Sequence, residues 1–290
     1  MRECGAKMRC WTRLPIARFV PWFGSSDHLV FLEGAIGIPA VAMINWDDEF
    51  IHSSDDDLNQ IDQTQLRRNN FLIGSIAYFL IRAKDSDVPV IAAETYAQGA
   101  NRLANDLKVA MRLLKSSGGD AGAGWKLAGM MIEAGIAREV RALESARVFG
   151  DGNSKAAQTI AELVKATNEK RAALMSELTT FYRQLHGSDP KPVALAAEEL
   201  AASKKIPANT ANLDTYFDNR RKIRVRTNLH GLMRDEVFNF VDGKRSYYDI
   251  YKAVYAESQA AGSWYYGNVT LKDVMTLLDE AVESKALTSK

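Results

Sequence analysis

The sequence predicts a mixed fold: a short α/β unit, then a mainly α-helical bundle, then a small module of short helices. Three observations predict it. An apolar, strand-like run, Ile38-Pro39-Ala40-Val41-Ala42-Met43-Ile44, leads into an acidic loop and then a helical pattern. Residues 90–186 contain no proline, are rich in Ala, Leu, Met, Glu, Lys and Arg, and show helical periodicity in three blocks. From Leu232 onward, short helical patterns alternate with turns. The expected units are residues 1–84, 85–187, a linker over 188–229, and 230–290.

The length of 290 residues suffices for two domains of ordinary size or one domain with appendages. Hydrophobic residues make up 47% and charged residues 25%, which places the chain among ordinary globular proteins. A net charge of +1 argues for neither nucleic acid nor a membrane surface as a partner, and nucleic acid is the less expected one. Cys4 and Cys10 both lie in the first ten residues and define no disulfide framework. Residues 1–23 carry arginines throughout and lack the apolar core of a cleavable signal. The most apolar helix, Phe71 to Ala83, is shorter than the roughly 20 residues needed to cross a bilayer. It also holds Gly74 and Arg82, so it is expected to be a buried helix, and no transmembrane segment is expected.

Taken in order, Ser26 or Asp27 caps a short helix holding His28, Leu29, Phe31 and Leu32, with Gly34 and Gly37 at its end. Ile38–Ile44 reads as a buried strand, with Pro39 tolerated only near its start. The next stretch, through Asp48-Glu49-Phe50-Ile51-His52-Ser53-Ser54-Asp55-Asp56-Asp57, sets one histidine among carboxylates. A loop at the C-terminal end of a strand is a common place for a metal ligand. An ordinary acidic surface loop is the competing account, since one histidine makes no metal site. From Leu66 to Ala83 apolar residues recur at helical spacing, and Val88-Pro89 marks a boundary.

Three helical blocks follow, at about Ile91–Lys115, Trp125–Val148 and Ser154–Leu185. Short Gly- and Ser-rich connections make them antiparallel neighbours in a three-helix arrangement. Leu103, Leu107, Met111 and Leu114 form one apolar stripe; Ile160, Leu163, Met175 and Leu178 form part of another, and both suit a bundle core. Beyond Pro190 come a short helix over Val193–Ala202 and a polar linker. The basic stretch Asn219-Arg220-Arg221-Lys222-Ile223-Arg224-Val225-Arg226 alternates at its end as a strand or extended segment would, and reads as a solvated face balanced by Asp214, Asp218 and Asp235. Helices are then expected at about Leu232–Phe240, Tyr247–Ser258 and Leu271–Ser284, a set that fits a winged-helix-like unit.

Four segments taken together resemble the end of the catalytic domain of the di-zinc aminopeptidases, peptidase family M-28. They are Ser25-Ser26-Asp27-His28, Gly37-Ile38-Pro39-Ala40, His52-Ser53-Ser54-Asp55-Asp56 and Leu66-Arg67-Arg68-Asn69. The likeness covers roughly residues 24–83. The run Phe240-Val241-Asp242-Gly243-Lys244-Arg245-Ser246, followed by Leu271-Lys272-Asp273-Val274, is similar to a winged-helix-like extension of some bacterial members.

The resemblance implies an α/β zinc-peptidase remnant whose parent hydrolyses the N-terminal residues of peptides with a water activated by two zinc ions. It implies that His52 is the last zinc ligand, with Asp55 and Asp56 able to orient its ring. Ile51 stands where the family often has an aromatic residue, with Phe50 adjacent; His28 falls in the wrong motif to be a ligand. The family's other ligands and its general base lie upstream of Gly24. The 23 residues there hold no His and no Asp, and Glu3 is their only carboxylate. No catalytic residue is therefore assigned, and two zinc ions belong to the intact family site alone. The alternative expectation is a non-catalytic module that meets a protein partner through the helical bundle and the C-terminal helices. Many members of the family are secreted or periplasmic.

Overall fold

The computed structural model describes residues 26–44, 48–116, 119–150, 152, 154–210 and 212–289. The expectations placed on residues 1–25, among them those for Glu3, Cys4 and Cys10, lie outside them. Among the described residues the fold is mainly helical, with one two-stranded sheet.

Three long helices form the centre: α3 (Val88–Ser116), α4 (Ala121–Ser145) and α5 (Ser154–His186). They follow α1 (Leu29–Leu32) and α2 (Gln63–Arg82). The apolar stripes read from the sequence are their core. Leu103 and Leu114 of α3 and Leu178 of α5 close around Met131, Ile132 and Ile136 of α4, while Leu107, Met111 and Met175 pack at the margin. Ile160 joins Val88, Ala92 and Leu143 in a second cluster at one end, with Leu163 beside it. Asp120 starts α4 by accepting the Ala123 N–H at 2.9 Å, which satisfies one amide that the helix leaves free.

The remaining chain folds against this bundle. It comprises α6 (Ala197–Ala202), β1 (Pro207–Asn209), α7 (Leu213–Arg220), α8 (Gly231–Asn239), α9 (Tyr247–Ala261), α10 (Ser263–Tyr266), α11 (Leu271–Glu283) and β2 (Leu287–Ser289). The Ser246–Asp249 capping box and the Thr270 cap define the starts of α9 and α11. The core holds Tyr216, Met233, Val237, Tyr247, Ile250, Val254, Leu277 and Leu278, and it reaches Met130 of α4. β1 pairs antiparallel with β2, so the only sheet among the described residues joins the approach to α7 with the segment after α11. Residues 223–227 form no strand, yet they keep the expected alternation: Ile223 and Val225 pack on the core, and Arg224 and Arg226 face solvent.

Two expectations about the first unit are corrected. Ile38–Ile44 is irregular rather than a buried strand, and Val41 is 85% exposed. A strand needs a neighbour for its ladder, and no described segment pairs with this one. The Phe71–Ala83 stretch is helical through Arg82, within α2, but no residue of α2 is buried. In addition, α1 belongs with the C-terminal helices. Leu29, Leu32 and Ala35 pack on their core, and the Gly34 N–H donates to Asn239 Oδ1 at 2.8 Å. A Cβ on Gly34 would lie 2.6 Å from the Asn239 Cα, so this approach of two backbones excludes any side chain.

Candidate functional site

The His52 loop is a chain of local turns. His52 is exposed and has φ 62°, a left-handed conformation that few non-glycine residues adopt. Asp48 accepts the Phe50 N–H at 2.9 Å, Asp57 accepts the Asn59 N–H at 2.8 Å, and Asp62 caps α2 through Thr64 and Gln65. These carboxylates are spent on backbone amides. Asp55 and Asp56 are exposed, and the hydrogen bonds among the described residues include none from either to His52. His28 lies at the N-terminal end of α1.

Zinc in a peptidase needs three protein donors and an open position. Among the described residues no group of three or more His, Cys, Asp or Glu side chains is placed to hold a metal. His52 with its neighbours supplies one imidazole and solvated carboxylates. That donor set by itself does not fit a zinc centre.

The most unusual surface is α2. Phe71, Leu72, Ile73, Ile76, Tyr78, Phe79, Leu80 and Ile81 are all exposed, Phe71 by 77% and Ile81 by 83%. Successive helical positions differ by 100°, so this run is apolar around most of the helix, not along one stripe. None of the described helices is long and apolar enough to cross a membrane.

A second surface lies at α10. Gly262 (φ 125°) and Gly267 (φ 72°) bracket the helix. A Cβ on Gly262 would lie 2.7 Å from Trp264 Nε1, so the indole rests against that bare backbone while remaining 87% exposed. Tyr265 meets Trp264, Tyr266 and His230 at ring-centroid distances of 5.7, 4.9 and 5.2 Å. Beside them an open depression of about 560 Å³ is lined by His230, Gly231, Leu232, Arg234, Asp235 and Tyr265.

The charged groups inside the fold are arranged in pairs. Asp106 of α3 and Glu139 of α4 are both 3% exposed. Each sits where the facing helix has a glycine: a Cβ on Gly135 would lie 2.5 Å from Asp106 Oδ2, and one on Gly99 would lie 2.8 Å from Glu139 Oε2. Arg102 clasps Glu139 through two N–H donors at 3.0 and 2.6 Å, and Arg138 bridges Glu139 and Asp106 at 2.7 and 2.8 Å. Burial raises the Asp106 carboxyl above its ordinary value despite the opposing pull of Arg138.

Part of the basic run is also committed. Arg220 bonds Glu33 and, at 2.6 Å, Asp235, and lies 4.4 Å over the Phe238 ring. Arg221 pairs with Asp218. Arg224 and Arg226 are exposed and make no ion pair among the described residues.

Comparison with protein-family models, with curated proteins and with solved structures finds no match for this chain.

The buried carboxyls were not among the residues singled out from the sequence, although a signal for them exists. Asp106 falls on the stripe Leu103, Ala110, Leu114, and Glu139 on Ile132, Ile136, Leu143. An acidic residue at a core position of an apolar stripe marks a buried, paired charge.

Proposed function

We propose that residues 24–83 are the closing portion of a zinc-dependent aminopeptidase domain of the M-28 type. On this reading the chain by itself is the non-catalytic helical part of such an assembly, docking through α2. The observation that carries the reading is α2: a helix apolar on most sides, none of whose residues is buried and whose large apolar side chains are exposed. Covering each large apolar side chain is worth about 1.5–3 kcal/mol, so the rest of an α/β layer is the kind of surface that fits it. The order of the four sequence segments adds the peptidase character, and His52 keeps the place of a ligand without its partners.

The test uses the chain as it stands. Calorimetric zinc titration and an aminoacyl-nitroanilide assay are expected to show no stoichiometric pair of zinc ions and no turnover. Two tightly bound zinc ions with hydrolysis would overturn the non-catalytic reading. Replacing Phe71 and Ile81 together by aspartate is expected to leave the melting temperature within about 1–2 °C of the parent, as for other surface substitutions. The same pair should reduce concentration-dependent association in light scattering. A large fall in melting temperature would mean that α2 is packed within its own chain and would end the docking proposal.

A second reading is a protein-interaction module that never served a peptidase. The Trp264–Tyr265 ledge favours it, because exposed Trp and Tyr beside an arginine, Arg234, are the residue types that dominate interface energetics.

A further inference from the structure

Residues 223–228 are stretched along α11. The Arg224 and Val225 N–H groups donate to the Glu280 carboxylate at 2.6 Å each, and the Asn228 N–H donates to Asp273 Oδ1 at 3.0 Å. Glu280 and Asp273 stand two turns apart on α11, roughly 10 Å along its axis. The chain from Val225 to Asn228 covers that distance only when nearly fully extended. Successive side chains of an extended segment point to opposite faces. Ile223 and Val225 therefore pack on the core, while Arg224 and Arg226 leave from the other face and are exposed.

This edge continues into the α10 ledge. Arg234 Nη1 donates to the Val225 carbonyl and to the Thr227 hydroxyl, both at 3.1 Å, so Arg226 lies between the two anchors. The same Arg234 lines the open depression with His230 and Tyr265. Next to Tyr265 stands Trp264, 87% exposed. One surface thus runs from two exposed guanidiniums to two exposed rings. The carboxylates around it are engaged: Glu280 and Asp273 by backbone amides, Asp235 by Arg220, and Asp218 by Arg221. Arg224 donates to the Arg221 carbonyl, and neither Arg224 nor Arg226 has a carboxylate partner among the described residues.

We propose that this surface holds an extended acidic peptide segment of a partner protein. Two carboxylates, one residue between them, pair with Arg224 and Arg226. A proline or aromatic ring further along the peptide lies on Tyr265 and Trp264. The proposal rests on the second reading above, in which the ledge faces a protein, and it names the partner's chemistry.

The match follows from geometry and charge. An extended peptide repeats its side-chain direction every second residue, as residues 223–228 do, so two acids at that spacing reach both arginines from one face. Trp and Tyr suit the other end, because they offer a large contact area with few rotamers to fix. A nucleic-acid strand is the poorer match. It sets a charge at every nucleotide and needs a continuous basic track. Here Asp235 lines the depression itself, and Glu280 is bonded to the Arg224 backbone.

The experiment is calorimetric titration of the full chain with an end-blocked peptide, Glu-Thr-Glu-Gly-Pro-Tyr, at low and at raised salt. The control peptide has Gln in place of both Glu residues. Binding of the acidic peptide is expected, weakening as salt rises, and the control should bind about three- to tenfold more weakly. Replacing Arg224 and Arg226 together by alanine should weaken the acidic peptide by a similar factor. Trp264→Ala should weaken it about tenfold or more, and Trp264→Phe, which keeps a ring, should recover most of the affinity. These side chains are exposed, so the variants should melt with the parent, which separates a lost contact from a lost fold. Equal binding of the two peptides, lost in Trp264→Ala, would overturn the acidic partner and leave the protein-facing ledge standing. No binding of either peptide would overturn both. Tighter binding of an oligothymidylate than of the acidic peptide would overturn the peptide in favour of a nucleic-acid strand.

Discussion

Replacing Arg138 by alanine is expected to destabilise the chain by about 2–4 kcal/mol. Removing one partner of a buried ion pair costs about 3–5 kcal/mol, and the partial exposure of Arg138 reduces that figure. The loss arises because Asp106 and Glu139, each 3% exposed, keep their charges without the guanidinium that bridges them. Arg102 still serves Glu139 but does not bond Asp106, so Asp106 carries most of the deficit. A specific signature follows. Burial already raises the Asp106 carboxyl, and protonating it removes the unpaired charge. The gap between parent and Arg138→Ala, measured by urea unfolding, should narrow as the pH falls toward the carboxylate range. Arg138→Lys should lie between the two, because a lysine keeps the charge but not the planar fork that spans both acids.

The second large effect is expected at Arg220. Arg220→Ala removes a mostly buried guanidinium from Glu33, Asp235 and the Phe238 face. A loss of about 2–4 kcal/mol is expected on the same grounds. Tyr216 adds to it: burial pushes its hydroxyl up to about 12, so it stays neutral and accepts from Arg220 at 3.3 Å. The distinguishing readout is regional. Because Glu33 belongs to the segment that follows α1, residues 29–36 should lose exchange protection more than the helices of the bundle do. Uniform loss across the chain would show that Arg220 serves the core alone and does not tie that segment down.

The long helices were legible because a 3.6-residue period over twenty or more positions admits one reading, and their caps and glycine turns mark the ends. Ile38–Ile44 was misread because strand formation depends on a neighbour that lies elsewhere in a chain, whereas a helix satisfies its own backbone. The burial of α2 was misread for a related reason: apolarity records what a helix needs, not what covers it. Arg220 looked like one member of a solvated basic run. Its place four residues after Tyr216 on α7 turns it toward the core instead. Of the candidate site, the loop around His52 was legible from its run of Asp and Ser, whereas any metal centre needs donors that the fold brings together, which local spacing does not reveal.

The bond between Gly34 and Asn239 spans 205 residues of sequence, and that separation sets an order of events during folding. The bundle helices are joined by short turns and need few distant contacts, so they form early. The seat for residues 29–36 exists only once α8 and α9 have come together on the bundle. Until then α1 stays undocked, with its apolar side chains in water, beside an α2 that is unburied throughout. Such a species associates with its own kind during slow folding. Refolding yield should therefore fall as the protein concentration rises, even where the finished fold is stable.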